Sequence, residues 1–280
     1  MFFMDKCRFL CYSHNVSART VYSFPRLRKK VRRMKKTSWI ALILFSAAAA
    51  ALRAVQCRTG FDESGLPAGG VPLRAAVPCV LLLAAAYFVL SARGLSANRG
   101  ACGGLSENFH FSGNTAAAAC AITGAFLVMA GAAASAAGRG SLRQGALVLA
   151  VVGAAGAVCV LYAVFALYRD GGARGTAQLV PVCALVVYLI FLYRADASDP
   201  VLAGVYVELL ALAALTYSAL ERAAFAFQNG APRLYLPVGA LSVVLALAAA
   251  AECRSLAAVL LLAGCAFVEL GFLAAAEFKA

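Results

Sequence analysis

Residues 26–45, RLRKKVRRMKKTSWIALILF, put eight basic side chains into eleven positions and then turn abruptly apolar. That junction decides the fold, because a basic flank running straight into an apolar run reads as the cytoplasmic edge of a first transmembrane helix. The rest of the chain agrees. It is 63% hydrophobic and 13% charged, with a mean hydropathy of +0.84. A soluble domain is roughly half apolar and about a quarter charged. The excess arrives in separate blocks of about 20 residues, each able to cross about 30 Å of hydrocarbon at about 1.5 Å per residue.

Eight spans can be marked, at about 38–56, 73–93, 114–137, 144–168, 177–194, 200–220, 234–251 and 255–276. Gly and Pro punctuate nearly all of the breaks, as in TGFDESGLPAGGVP (59–72) and RDGGARG (169–175). The expected fold is therefore an all-α, polytopic transmembrane bundle. Residues 1–37 form a basic cytoplasmic segment and 38–280 the eight-span domain, with both termini inside. The longest inner connection, 93–114, is rich in Gly and Ser and reads as a flexible connector. SAAGRGSLRQGALVLAVVGAAGAVCVL (135–161) and AAAECRSLAAVLLLAGCAFVEL (249–270) share a turn with Arg, then Ser-Leu, then an apolar helix. This faint repeat suggests two parallel four-helix halves, as in some transporters; the favoured reading is Ala/Leu/Val composition aligning with itself. Small residues, as in GAAASAAG (131–138) and GAAGA (153–157), read as close helix packing.

The net charge of +13 is local. Residues 1–36 carry eleven Lys and Arg against one acid, Asp5, whereas 37–280 carry fourteen against eleven. A nucleic-acid partner is not expected, since the remainder lacks a basic stripe. The lipid bilayer is the expected partner, with anionic lipid at the basic flank; no feature points to a protein partner. Of the ten cysteines, ones such as Cys79, Cys120, Cys159 and Cys265 sit inside apolar blocks as small hydrophobes. No C-x-x-C occurs and the histidines are His14 and His110, so neither a metal site nor a cofactor is expected. Cys57 and Cys253 both fall near the outer face and are a candidate disulfide, although spacing alone does not place their Cα atoms.

Ionisable residues inside spans are the best functional pointers, because each costs about 2.5–3.5 kcal/mol near the bilayer centre. Glu208 is expected near mid-depth of the sixth span, and Glu269 somewhat inward of the middle of the eighth. Either is a candidate proton or substrate site. Helical spacing aligns Gly204, Glu208, Ala211, Leu215, Ser218 and Arg222 on one stripe, which adds Ser218 and Arg222 as candidates for a polar seam. The competing reading is a protonated Glu208 bonded to backbone, Tyr206 or Tyr217. Glu221–Arg222 and Arg194 also read as interfacial snorkellers. Tyr188, Tyr193 and Trp39 read as an aromatic belt.

No H-E-x-x-H, G-x-S-x-G or P-loop occurs, so no catalytic residue is nominated. The pattern favours a non-catalytic membrane protein with an accessory, sensing or assembly role. The alternative is a small-solute transporter or permease-like protein using intramembrane carboxylates. The first external loop, TGFDESGLPAGG (59–70), with the Ala/Leu-rich, Arg-over-Lys character of 38–280, resembles multi-span membrane proteins of Gram-positive gut bacteria, Clostridia especially. The resemblance implies a bacterial plasma membrane and no particular activity.

Residues 1–36 contain one alanine, Ala18, and five of the six lysines, a composition unlike everything after them. The favoured reading is that translation begins at Met34. A genuine polybasic arm and a cleaved signal peptide are the competitors, the latter with an unusually long basic region. The mass of the protein from its host membrane decides: the expected species begins at Met34, and a species retaining 1–33 establishes the arm.

Overall fold

The computed structural model describes residues 31–32, 34–59, 71–95, 103–139, 145–169, 175–196, 206–251 and 255–279. Among these residues there are nine α-helices. They are α1 (Lys36–Thr59), α2 (Val71–Ser91), a single-turn α3 (Leu105–Asn108), α4 (Thr115–Ala134), α5 (Ala146–Tyr168), α6 (Gly175–Asp196), α7 (Tyr206–Ala226), α8 (Pro232–Ala250) and α9 (Leu256–Ala275). All but α3 are long and apolar enough to cross a membrane. The protein is a multi-pass helical membrane protein.

The helix starts follow local chemistry. The Asn114 side chain accepts from the Ala117 N–H at 3.1 Å to cap α4, and the Ser255 hydroxyl accepts from the Ala258 N–H at 3.2 Å to cap α9. Pro232 opens α8, where its missing N–H costs nothing. Two two-residue strands flank the bundle: β1 (Val31–Arg32) pairs antiparallel with β2 (Phe278–Lys279). One precedes α1 and the other follows α9, so both flanks leave the same end of the bundle, as eight crossings require. That end is called proximal below.

Span boundaries match the sequence reading within a few residues except on α7, expected at 200–220 and found at Tyr206–Ala226. The reason is physical. Glu221 and Arg222, expected to snorkel out to an interface, are each 3% exposed and lie within the helix, which runs on past them. The connector 93–114 also differs from expectation, since residues 103–114 are folded. The His110 N–H donates to the Ala275 carbonyl and the Glu277 N–H to the Asn108 carbonyl, both at 2.8 Å. Asn114 Nδ2 donates to the Ala274 carbonyl at 3.0 Å. The segment is stitched to the end of α9. Neighbour relations in the two sets of four spans also differ: α7 packs extensively on α8, whereas their counterparts α2 and α4 barely meet.

The core lies around α8 and α9, whose apolar stretches are 61% and 56% buried, against 17% for α6. The most extensive helix pair is α4 with α9, antiparallel and built on glycine. A Cβ on Gly124 would stand 2.6 Å from the Gly264 carbonyl oxygen, and one on Gly264 would stand 2.7 Å from that of Gly124. At Gly271 it would meet the Ala117 oxygen at 2.7 Å, and at Gly131 the Ala257 oxygen at 3.0 Å. Backbone therefore lies on backbone, which is how helices gain dispersion energy where lipid supplies no hydrophobic drive. The GAAGA run does the same on a smaller scale: Gly153 faces the Ala132 methyl and Gly156 the Ala184 methyl.

Gly264→Val should destabilise the protein by about 1–3 kcal/mol, as overpacking does, whereas Gly104→Ala, with open space around it, should not. Thermal unfolding in detergent, scored by loss of monodispersity, compares the two.

Candidate functional site

The stripe predicted on α7 exists and faces inward. Glu208, Ala211, Leu215, Ser218 and Arg222 are all buried; Gly204 lies outside the described residues. Glu208 stands in the first turn of α7, so it is at the distal end and not at mid-depth. Arg222 sits near the other end of the same helix.

Near the proximal end, Arg222 meets Glu269 of α9. Arg222 Nη1 lies 3.2 Å from Glu269 Oε1, with both side chains 3% exposed. Tyr235, in the first turns of α8, donates its hydroxyl hydrogen to Glu269 Oε2 at 3.2 Å. The guanidinium also lies over the Phe272 ring, 4.3 Å from its centroid, a favourable cation–π placement. Two charges far apart in sequence are thus brought together in an apolar interior, where each alone would be prohibitively costly. Ser218 does not join them. It lies against Gly239 of α8, and its buried hydroxyl makes no hydrogen bond.

Beneath this pair lies an aromatic floor. Phe109, carried in by the folded 103–114 segment, has its ring centroid 5.4–6.1 Å from those of Tyr235, Phe225, Phe272 and Phe278. All four of those contacts are edge-to-face, each contributing about 0.5–1.5 kcal/mol beyond burial. Phe111 adds a further edge contact to Phe272 at 5.2 Å. The floor closes the proximal side of the Arg222–Glu269 pair.

On the other side the pair opens onto a cavity of about 80 Å³ bounded by α4, α5, α6, α7 and α9. Its walls are small and apolar (Gly153, Ala157, Ala184, Leu212, Leu215 among them), with Arg222, Glu269, Cys265 and Tyr188 as the polar exceptions. Tyr188 is no belt residue: its hydroxyl hydrogen-bonds Glu208. Tyr193 is 61% exposed. Glu208 therefore reaches the cavity only through Tyr188, whereas Glu269 forms part of its wall.

Sequence reasoning missed two polar side chains and one aromatic pair. Arg53 on α1 is fully buried, donates from Nη1 to Gln56 Oε1 at 2.8 Å and lies over the Tyr206 ring. It falls inside the marked span 38–56, so the criterion that selected Glu208 would have found it. Tyr235 carried no signal beyond its place near a span end. The aromatic pair in ENFHF (107–111) was the visible sign that this connector packs. No group of metal-binding residues occurs among the described residues. Cys253 lies outside them, and with it the Cys57–Cys253 pairing.

No family model matches the chain, and neither a curated protein nor a solved structure shows significant similarity to it.

Truncating one partner of the ion pair should cost far more than removing both. Arg222→Met is expected to lose about 3–5 kcal/mol, and Arg222→Met with Glu269→Met to regain most of it. Equilibrium unfolding of the four species in detergent reads the coupling; strictly additive losses would show the two residues to be independent.

Proposed function

We propose that this protein binds a small solute inside its helical bundle and moves it across the membrane as a permease-type carrier. The observation that carries the reading is the cavity between α4, α5, α6, α7 and α9 with the Arg222–Glu269 pair in its wall. Pockets with mostly apolar walls and a few placed polar groups are the usual form of small-molecule sites. Intramembrane charges facing such a cavity commonly mark solute or ion pathways. Glu269 and Arg222 are the binding residues in this proposal. Glu208 is a supporting group held by Tyr188, and Ser218 has no direct part. The membrane is a bacterial plasma membrane, with the basic flank inside and in contact with anionic lipid.

An accessory or sensing role is the second reading. It is favoured by the Phe109 floor, which packs the proximal side of the pair with aromatic rings. Under it the same cavity binds a solute without passing it on.

Uptake by proteoliposomes separates the two. A panel of labelled short carboxylates, amino acids, amines and sugars should include at least one solute accumulated above empty liposomes. Ala184→Phe, which fills the cavity from α6, should abolish that uptake while the protein stays monodisperse. Binding without accumulation, lost in the same variant, selects the sensing role. No solute bound or moved, or uptake indifferent to Ala184→Phe, rejects the cavity as the site.

A further inference from the structure

Resting on the cavity reading, we infer that the solute is a short-chain monocarboxylate, its carboxylate on the Arg222 guanidinium and its aliphatic end among Ala157, Ala184, Leu212 and Leu215. The ion pair is within contact distance, yet its groups are not aligned as a hydrogen bond. Arg222 Nη1, Arg222 Nε and Glu269 Oε1 are all buried and make none. A guanidinium presents five N–H donors in a planar fork. One face of this one is taken by Phe272 and one edge is turned to Glu269, which leaves donors unspent beside an open volume. Buried donors without acceptors are costly, more so when charged. A third group with acceptor oxygens completes the set.

Charge and size narrow the class. A cation would be repelled by Arg222, and the carboxylate of Glu269 that might attract it is already held by Arg222 and by the Tyr235 hydroxyl. A dianion would add more negative charge than one guanidinium can offset in apolar surroundings. A single carboxylate matches the fork in shape and adds the least negative charge to a guanidinium that Glu269 already faces. The remaining lining is aliphatic, so the body of the solute is apolar. The cavity, about 80 Å³, is smaller than the roughly 150 Å³ cavity that accepts benzene, which limits the chain to a few carbons.

The arrangement carries a sign that a purely structural ion pair would not. Glu269 and the solute carboxylate compete for one guanidinium. Removing the charge of Glu269 should therefore strengthen solute binding, although it leaves the empty protein with an uncompensated buried cation.

The test uses the full chain in lipid nanodiscs, titrated with propionate, with its neutral isostere propionamide and with chloride, and read by calorimetry and thermal shift. Propionate should bind saturably, propionamide and chloride at least about tenfold more weakly. Arg222→Lys keeps the charge but loses the fork, and should weaken propionate at least about tenfold. Glu269→Gln should bind propionate more tightly than the wild type, and propionate should raise its melting temperature by more. If Glu269→Gln fails to fold, Arg222→Lys and Ala184→Phe decide. Propionamide or chloride binding as well as propionate, or propionate binding unchanged in Arg222→Lys, overturns the monocarboxylate. So does an absence of propionate binding while another solute of the uptake panel still depends on Ala184. Absence of binding by every solute overturns the cavity reading as well.

Discussion

The close approach of α4 and α9 is the contact on which the rest of the structure depends. Inside a bilayer there is no water to drive helices together, so they must gain by dispersion over backbone laid against backbone. Gly124, Gly131, Gly264 and Gly271 make that approach, with Ala117 and Ala121 opposite. Gly264, Val268 and Gly271 turned toward α4 fix the rotation of α9 about its axis. Glu269 follows Val268 by one residue, so at 3.6 residues per turn it is swung away from α4 and toward α7 and α8, where Arg222 and Tyr235 meet it. The site is thus a geometric consequence of where the glycines lie.

The charged pair, in turn, requires its surroundings. A carboxylate and a guanidinium in hydrocarbon are tolerated only when each is held by several partners. Phe272, Tyr235 and the Phe109 floor keep water and lipid headgroups from the proximal side. Phe109 gets there because residues 103–114 are hydrogen-bonded to the end of α9 through His110 and Asn114. A connector that composition marks as loose is therefore a structural member of the site.

What the sequence revealed and what it hid divide along one physical line. Hydropathy is a local property, so the eight spans and the small-residue packing could be read directly. Glu269 and Arg222 could be nominated one by one, because a charge within an apolar run is conspicuous. Their partnership could not, since it depends on how α7, α8 and α9 are rotated, and nothing local encodes that. The same cause misplaced α7: Glu221 and Arg222 look like a helix end only if they face solvent, and the bundle buries them. Tyr188 misled in the same way, being an aromatic residue of an apolar run that faces inward, lining the cavity beside Glu208.

The burial pattern also bears on how the cavity is reached. Its walls on the α4 and α9 sides belong to the glycine-packed pair, where a shift would break backbone-to-backbone contacts, and α7 packs on α8 beside them. Its walls on the α5 and α6 sides belong to helices whose apolar stretches are only 33% and 17% buried, compared with 56% for α9. α5 packs on α4 and α6, and α6 on α7, but most of each apolar stretch lies outside the protein interior, against lipid of similar apolarity. Gly153 and Gly156, at the contacts of α5 with α4 and α6, meet the small side chains of Ala132 and Ala184. The Arg222–Glu269 pair lies on the α7 and α9 side, opposite that wall. In the proposed carrier, the α5 and α6 side is therefore the wall past which a solute exchanges, away from the buried charges.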